Sequence, residues 1–192
     1  MSRGLLIILS GPSGVGKGTV RKHVMRHHEL RLSYSISMTT REPRRKERDG
    51  IDYFFVSDKE FDEQIKNGNL LEWAEFVDHR YGTPKSAVEA LRDSGRNVFL
   101  EIEVNGAKQV LAKVKDEGVV SIFLMPPSIK SLENRIRRRN TETEEIIQAR
   151  LNKGKREIRE AENYQYVVVN DRVKRASNEI ISIIESRLKK VK

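Results

Sequence analysis

The sequence predicts an α/β protein, a parallel central sheet packed between two layers of helices, and three observations predict it. First, Leu5 to Leu9 is a continuous apolar run stopped by Ser10-Gly11-Pro12, the pattern of a strand buried on both faces and cut by a turn. Second, similar runs recur at Asn97-Val98-Phe99-Leu100, at Val119 to Met125 before Pro126-Pro127, and at Val167-Val168-Val169 before Asn170-Asp171. Third, helical patterning alternates with these runs, at Thr19 to Leu30, Thr83 to Ser94, Ala107 to Asp116, Ile129 to Arg139 and Ala176 to Leu188. Buried strands joined through helices form a parallel sheet, and such sheets take ligands at the carboxyl ends of their strands.

Two segments interrupt the alternation. Ser33 to Tyr81 mixes short β-type runs, Tyr34 to Met38 and Tyr53 to Val56, with a helix near Asp58 to Lys66, and reads as an inserted α+β unit. Arg137 to Glu160 has few large apolar residues and a dense mixture of both charges, as expected of a solvated helical excursion. The expected division is a core of 1–34, 88–136 and 158–192, an inserted region 35–87, and a helical segment 137–157. A length of 192 residues suits one folded unit with such attachments.

Lys plus Arg number 37 against 28 Asp plus Glu, a formal charge of +9, which favours anionic partners: nucleic acid, an acidic membrane face or phosphorylated small molecules. The absence of cysteine excludes disulfides and thiolate metal sites and suits a reducing compartment. The apolar run after Met1 to Arg3 is too short for a signal peptide or a membrane span, so a cytoplasmic protein without a membrane partner is expected.

Gly11-Pro12-Ser13-Gly14-Val15-Gly16-Lys17 sits between the first strand and the first helix, the context of a phosphate-binding loop. The glycines let successive backbone N–H groups converge on one anion, the following helix adds its positive end, and Lys17 brings a mobile cation to the terminal phosphates. The hydroxyl usual directly after the lysine is replaced by Gly18, with Thr19 next. Direct protein ligation of magnesium therefore has no certain residue, and the ion is expected to rest mainly on phosphate oxygens and water.

The loop implies a nucleoside triphosphate but leaves the acceptor open. Thr39-Thr40-Arg41-Glu42-Pro43-Arg44 sets two arginines three apart beside a proline bend, where both guanidinium forks can close on one phosphate. Tyr53 and Tyr81, each next to turn residues, can add phenolic hydroxyls. On the residues alone, Arg41 to Arg48 is equally a solvated basic loop, Glu72 beside Trp73 an ordinary helix residue, and Glu101 with Glu103 a pair of surface carboxylates sharing one face at the end of an edge strand.

Taken together, Ser37 to Arg44, Gly50 to Phe55, Leu71-Glu72-Trp73-Ala74, Tyr81-Gly82-Thr83, Phe99 to Glu103, Pro126-Pro127-Ser128 and Thr141-Glu142-Thr143 resemble guanylate kinase, in that family's order from about Gly4 to Asp171. The resemblance implies a P-loop three-layer fold in which 35–87 binds the nucleoside monophosphate and 137–157 is a lid. It implies ATP and GMP as substrates, with dGMP open, and Mg²⁺ with the ATP. Gly11 to Thr19, Arg135 and Asn170 would serve ATP. Arg41, Arg44, Tyr53 and Tyr81 would hold the GMP phosphate, and Glu72, Ser37 and Thr83 would read guanine, with Glu101 nearby. Guanine offers two adjacent donors that adenine lacks, and a buried carboxylate left unpaired can be worth about 10⁴ in selectivity.

Lys17, Arg41, Arg139 and Arg150 would carry catalysis, the last two from the lid, while Arg137 and Arg138 match no such role. No strong general base is expected, because the acceptor is already an anion. Asn140 stands where relatives usually carry glycine, and Glu101 where they often carry aspartate. Two other classes stay open: a guanylate-kinase-like module that holds phosphopeptides without turnover, and a nucleic-acid-binding protein, the latter unsupported by any motif with interleaved aromatics.

Overall fold

Apolar runs too short and too continuous to be amphipathic helices become the central sheet. The protein is described by a computed structural model covering residues 2–76, 78–138 and 143–191, so Arg139, Asn140, Thr141 and Glu142 lie outside the described residues. In chain order the elements are β1 (Leu6–Ser10), α1 (Lys17–Val24), β2 (Leu32–Tyr34), β3 (Met38–Thr39), β4 (Phe54–Phe55), α2 (Asp58–Lys66), β5 (Leu70–Phe76) and β6 (His79–Pro84). They continue with α3 (Lys85–Asp93), β7 (Asn97–Glu101), α4 (Val104–Lys113), β8 (Val119–Met125), α5 (Ile129–Arg137), α6 (Glu144–Ile158), β9 (Tyr166–Val169) and α7 (Val173–Val191).

The main sheet has the order β2-β7-β1-β8-β9 and is parallel throughout. Strand β1 lies at its centre, with Ile8 opposite Leu100 on one side and Ser121 on the other. Every residue of β1 is buried, and alternate side chains feed different layers. Leu5, Ile7 and Leu9 pack with Val20 and Val24 of α1 and Ala176, Ile180 and Ile184 of α7. Leu6 and Ile8 pack with Val88 of α3 and Val104, Ala107 and Val110 of α4. The predicted three-layer α/β fold is therefore present.

The inserted stretch forms a second sheet of order β4-β3-β6-β5. Its longest strand, β5, carries no strand signal in the sequence, and Glu72 lies on it, not on a helix. The pairing of β5 with β6 shifts register between Leu70 and Trp73, so strict alternation, the usual mark of a strand, is broken there. Helix α2 begins with a complete capping box, Ser57 accepting from the Glu60 N–H while Glu60 accepts from Ser57.

The charged segment after α5 is also less solvated than its composition suggests. Ile147 and Leu151 of α6, four residues apart, pack on Leu132 and Ile136 of α5 in a separate small cluster. Arg137, expected to have no phosphate role, forms ion pairs with Glu133 and Glu144, and its guanidinium holds the exposed Glu144 carboxyl down to about 2.

At the opposite end of the sheet, Arg92 of α3 is only 1% exposed. Its Nε donates to the Gly4 carbonyl at 2.9 Å, and both terminal nitrogens donate to Asp116, at 2.9 and 2.7 Å. Arg92→Met strands that buried carbonyl and should lower the unfolding free energy by about 2 kcal/mol in a denaturant titration. The Arg92 hydrogen bonds hold the Asp116 carboxyl below its ordinary 3.8. This pair's contribution is thus present above that value and fades as pH falls through the depressed one, so the gap between Arg92→Met and the parent should narrow in acid.

Candidate active site

Strand β1 ends where it must release the chain beyond the sheet, and Gly11 makes that exit possible. Its φ is 145°, and a Cβ there would lie 2.4 Å from the Leu124 carbonyl oxygen of β8. Gly16, at φ 101°, is the residue before α1, and a Cβ on it would come 2.8 Å from the Asn170 amide nitrogen. Helix α1 has no side-chain cap and no acidic residue in its first turn, so its N–H groups and positive end are left for an anion.

The residues assigned from sequence to the triphosphate converge on this loop. Lys17 Nζ donates to the Gly11 carbonyl at 2.6 Å, and burial lowers its pKa from the ordinary value. The Val15 carbonyl accepts from both Arg135, at 2.9 Å, and the Asn170 amide, at 2.8 Å, while Arg135 also donates to the Asn170 carbonyl at 2.7 Å. Thus α5, the end of β9 and the loop are joined through one carbonyl. Arg150 of α6 donates to the Ser13 hydroxyl at 2.8 Å. Arg139 lies outside the described residues. Gly14 and Pro12 complete the loop, Pro12 being buried.

A cavity of about 540 Å³ opens beside the loop, bounded by Gly16, Lys17, Gly18, Thr19, Glu101 and Glu103 among others. Glu101 accepts from Arg21 Nε at 2.7 Å, and that guanidinium lies 4.2 Å from the centre of the Tyr34 ring. A Cβ at position 18 would lie 3.5 Å from Glu101 Oε1, an ordinary van der Waals contact. The two departures noted in the sequence, Gly18 and Glu101, are neighbours on the cavity wall. Glu103 does not share the strand end with Glu101; β7 stops at Glu101, and Glu103 leads into α4 and pairs with Lys153. Nor is β7 an edge strand, since it lies between β2 and β1.

Magnesium prefers oxygen ligands and keeps several waters. Among the described residues no three His, Asp or Glu side chains cluster as a metal cage, but Thr19, Glu101 and Glu103 line the cavity with oxygen donors, which fits an ion carried in with phosphates.

The inserted unit carries the second group. Arg41 lies 5.5 Å from the Tyr53 ring centre, and Tyr53 meets Tyr81 edge-on at 6.1 Å between centroids. Hydrogen bonds to Glu47, then contact with Tyr81, raise the Arg41 pKa; burial raises that of Tyr53. Glu47, which no sequence signal marks, is the anion in this cluster: its carboxylate accepts from Arg41 at 3.0 and 2.8 Å and from the Arg44 backbone N–H at 2.9 Å. The Arg44 side chain itself is exposed. Nothing in a loop crowded with basic residues singles out one glutamate as their partner.

Glu72 is 7% exposed and accepts from the Thr83 hydroxyl at 2.5 Å across the β5–β6 pair. Burial pushes its carboxyl pKa up, against the smaller pull of Thr83 and Lys113. Ser37 precedes β3 half-buried, its carbonyl accepting from Phe54 N–H at 2.9 Å. The inserted unit therefore brings together a basic and phenolic cluster and a buried acid–hydroxyl pair.

The family model described as guanylate kinase matches residues 3–187. A guanylate kinase of Bacillus cereus is 57% identical over 182 residues, covering 95% of this chain and 88% of that protein. One from Latilactobacillus sakei is 51% identical over 185 residues, covering 96% and 90%. Among solved structures, guanylate kinase from Anaplasma phagocytophilum superposes with a TM-score of 0.74 at 34% identity, covering 97% of this chain and 87% of that one. With the phosphate loop, the inserted sheet and these similarities in agreement, the chain belongs to the guanylate kinase family.

Proposed function

We propose that this chain transfers the γ-phosphoryl group of ATP to GMP, yielding ADP and GDP, with dGMP open as a further acceptor. The observation that carries the reading is the buried Glu72–Thr83 pair in the same inserted unit as Arg41, Tyr53 and Tyr81. A desolvated carboxyl there answers the adjacent N1–H and 2-amino donors of guanine, and Thr83 with Ser37 answers O6. Adenine presents no such donor pair and would leave the acid unpaired.

In the reaction an oxygen of the GMP phosphate attacks the γ-phosphorus as the bond to the ADP oxygen breaks, and no proton needs removal from the attacking phosphate anion. Arg41, Arg44, Tyr53 and Tyr81 orient that phosphate, which replaces Glu47 on the Arg41 guanidinium. Backbone N–H groups of Gly11 to Thr19 and the end of α1 cradle the triphosphate, and Lys17 exchanges the Gly11 carbonyl for phosphate oxygen. Arg150 and Arg139 approach the migrating group from the lid, 137–157, while Arg135 and Asn170 lie beside adenine. Magnesium, bound with ATP, would supply charge neutralisation, with Thr19 and Glu101 within the oxygen set that could hold it or its waters. The intact loop and its arginine partners favour turnover over a phosphopeptide-holding role. Small-molecule substrates account for the +9 charge without nucleic acid, and a cysteine-free chain suits the cytoplasm. No helix among the described residues is long and apolar enough to cross a membrane.

With Mg-ATP as donor, GMP should be phosphorylated far faster than AMP, UMP or CMP; absence of GDP would sink the enzymatic reading. Lys17→Ala should cut turnover by about 10³ or more through loss of transition-state charge contacts, and activity near the parent's would contradict its role. Glu72→Gln should impair GMP use much more than ATP binding while stabilising the fold at neutral pH. The sign follows from the raised carboxyl: below the ordinary 4.5 the acid is protonated in both folded and unfolded chains, and above it the unfolded chain ionises first, so the parent loses stability relative to the glutamine variant until the raised value is passed. Thermal midpoints compared from about pH 4 to about pH 8 check this, since the variant's advantage should grow as pH rises.

A further inference from the structure

Helix α4 contacts β5 through one face, and the residues on that face bracket Glu72. Gly106, Gln109 and Lys113 are spaced three and four apart, so they line up along the helix. Gln109 Nε2 donates to the Trp73 carbonyl at 2.9 Å, and its Oε1 accepts from the Trp73 N–H at 3.2 Å. Lys113 Nζ donates to the Leu70 carbonyl at 3.0 Å. Leu70 and Trp73 are the residues on either side of the register shift, Leu70 opposite Pro84 and Trp73 opposite Gly82, so β5 carries one extra residue at Leu71-Glu72. A bulge of this kind re-aims a side chain and leaves part of the strand's backbone without ladder partners. Here a helix amide and an ammonium take outward-facing backbone groups of the two residues that flank the bulge, on a strand at the edge of its sheet.

Gly106 completes the arrangement. It weakens a helix interior relative to alanine, yet it is not among the residues with positive φ, so backbone conformation does not require glycine there. Space does: a Cβ at 106 would lie 2.7 Å from Glu72 Oε2, 3.2 Å from its Cδ and 3.4 Å from its Cγ. The carboxyl is held between the Thr83 hydroxyl on Oε1 and the bare backbone of α4 beside Oε2.

We propose that Gly106, Gln109 and Lys113 are positioning residues for base selection: Gln109 and Lys113 pin the bulge that aims Glu72, and Gly106 leaves the gap that its carboxyl occupies. This rests on the reading that Glu72 addresses guanine.

The test uses Gly106→Ala and Gln109→Ala in the full chain, each with and without Glu72→Ala, and measures kcat, both KM values, GMP-over-AMP preference and GMP affinity by equilibrium dialysis. Displacing the carboxyl by part of an ångström should raise the GMP KM on the order of tenfold for Gly106→Ala while the ATP KM stays within about twofold. In the Glu72→Ala background the added substitution should no longer change GMP affinity, because there is no carboxyl left to displace. Equal losses for GMP and ATP, an unchanged GMP KM, or the same GMP penalty with and without Glu72 would each overturn the proposal and mark the residues as packing alone. If Gly106→Ala does not fold, Gln109→Ala carries the same cycle. Should Glu72→Ala by itself leave GMP-over-AMP preference intact, the guanine reading beneath the proposal is what fails.

Discussion

The close passage of the Gly11 backbone over the Leu124 carbonyl is the constraint from which the donor site follows. Strand β1 is hydrogen-bonded on both sides and buried on both faces, so the chain can leave only at its carboxyl end. Any side chain at Gly11 would push the loop away from β8 and tilt the N–H groups that lead into α1. The same exit sets Val15 where Arg135 and Asn170 can both donate to its carbonyl, tying the loop to α5 and to the end of β9. A backbone contact at one residue thereby fixes the relation of three elements around an anion-binding loop.

Around that loop and beside the inserted sheet, three of the charges expected to meet phosphate have internal partners. Lys17 donates to a loop carbonyl, Arg41 to Glu47, and Arg150 to Ser13. Partly buried charges left bare would be costly, so the protein supplies replacements until phosphate arrives. Binding then exchanges one set of charge-assisted hydrogen bonds for another. Its net strength would depend on how much better a phosphate serves than a carbonyl or carboxylate, and on the proposed reading a dianionic phosphate must outcompete the Glu47 carboxylate at Arg41.

What the sequence makes legible is divided by distance along the chain. The strand, loop and helix around Lys17 are contiguous, and each residue type there answers a local demand, so position and chemistry can be read together. Strand β5 cannot: Leu70, Leu71, Trp73, Ala74 and Phe76 lack period-two alternation because the extra residue at the bulge shifts the faces. Glu72 is accordingly unremarkable on residue grounds, and only the family likeness marks it. Glu103 is misplaced by any reading that continues β7 two residues too far, where the chain has already turned into α4. The stripe formed by Ile147 and Leu151 is too narrow to stand out among the charges of α6. Glu47 and Gln109 cannot be found from spacing, since their partners are chosen by loop and tertiary geometry.

On the proposed reading, the two halves of the acceptor group are held by different kinds of contact, and that difference suits the tasks assigned to them. Glu47 accepts from the Arg41 side chain and the Arg44 backbone N–H within one polar loop, contacts that would have to give way if phosphate replaced the carboxylate. Glu72 sits instead on a strand fastened to a core helix at Leu70 and Trp73, with Thr83 on one carboxyl oxygen and Gly106 against the other. Every monophosphate presents the same phosphate, so an adaptable grip there costs no selectivity. Bases differ by the position of single hydrogen-bonding atoms, and a carboxyl free to follow them would accept the wrong one. A buried acid, a helix-interior glycine and a strand bulge are three departures from local stability converging on one side chain, which, if Glu72 reads the base as proposed, is the pattern expected where selection acts on recognition in preference to folding.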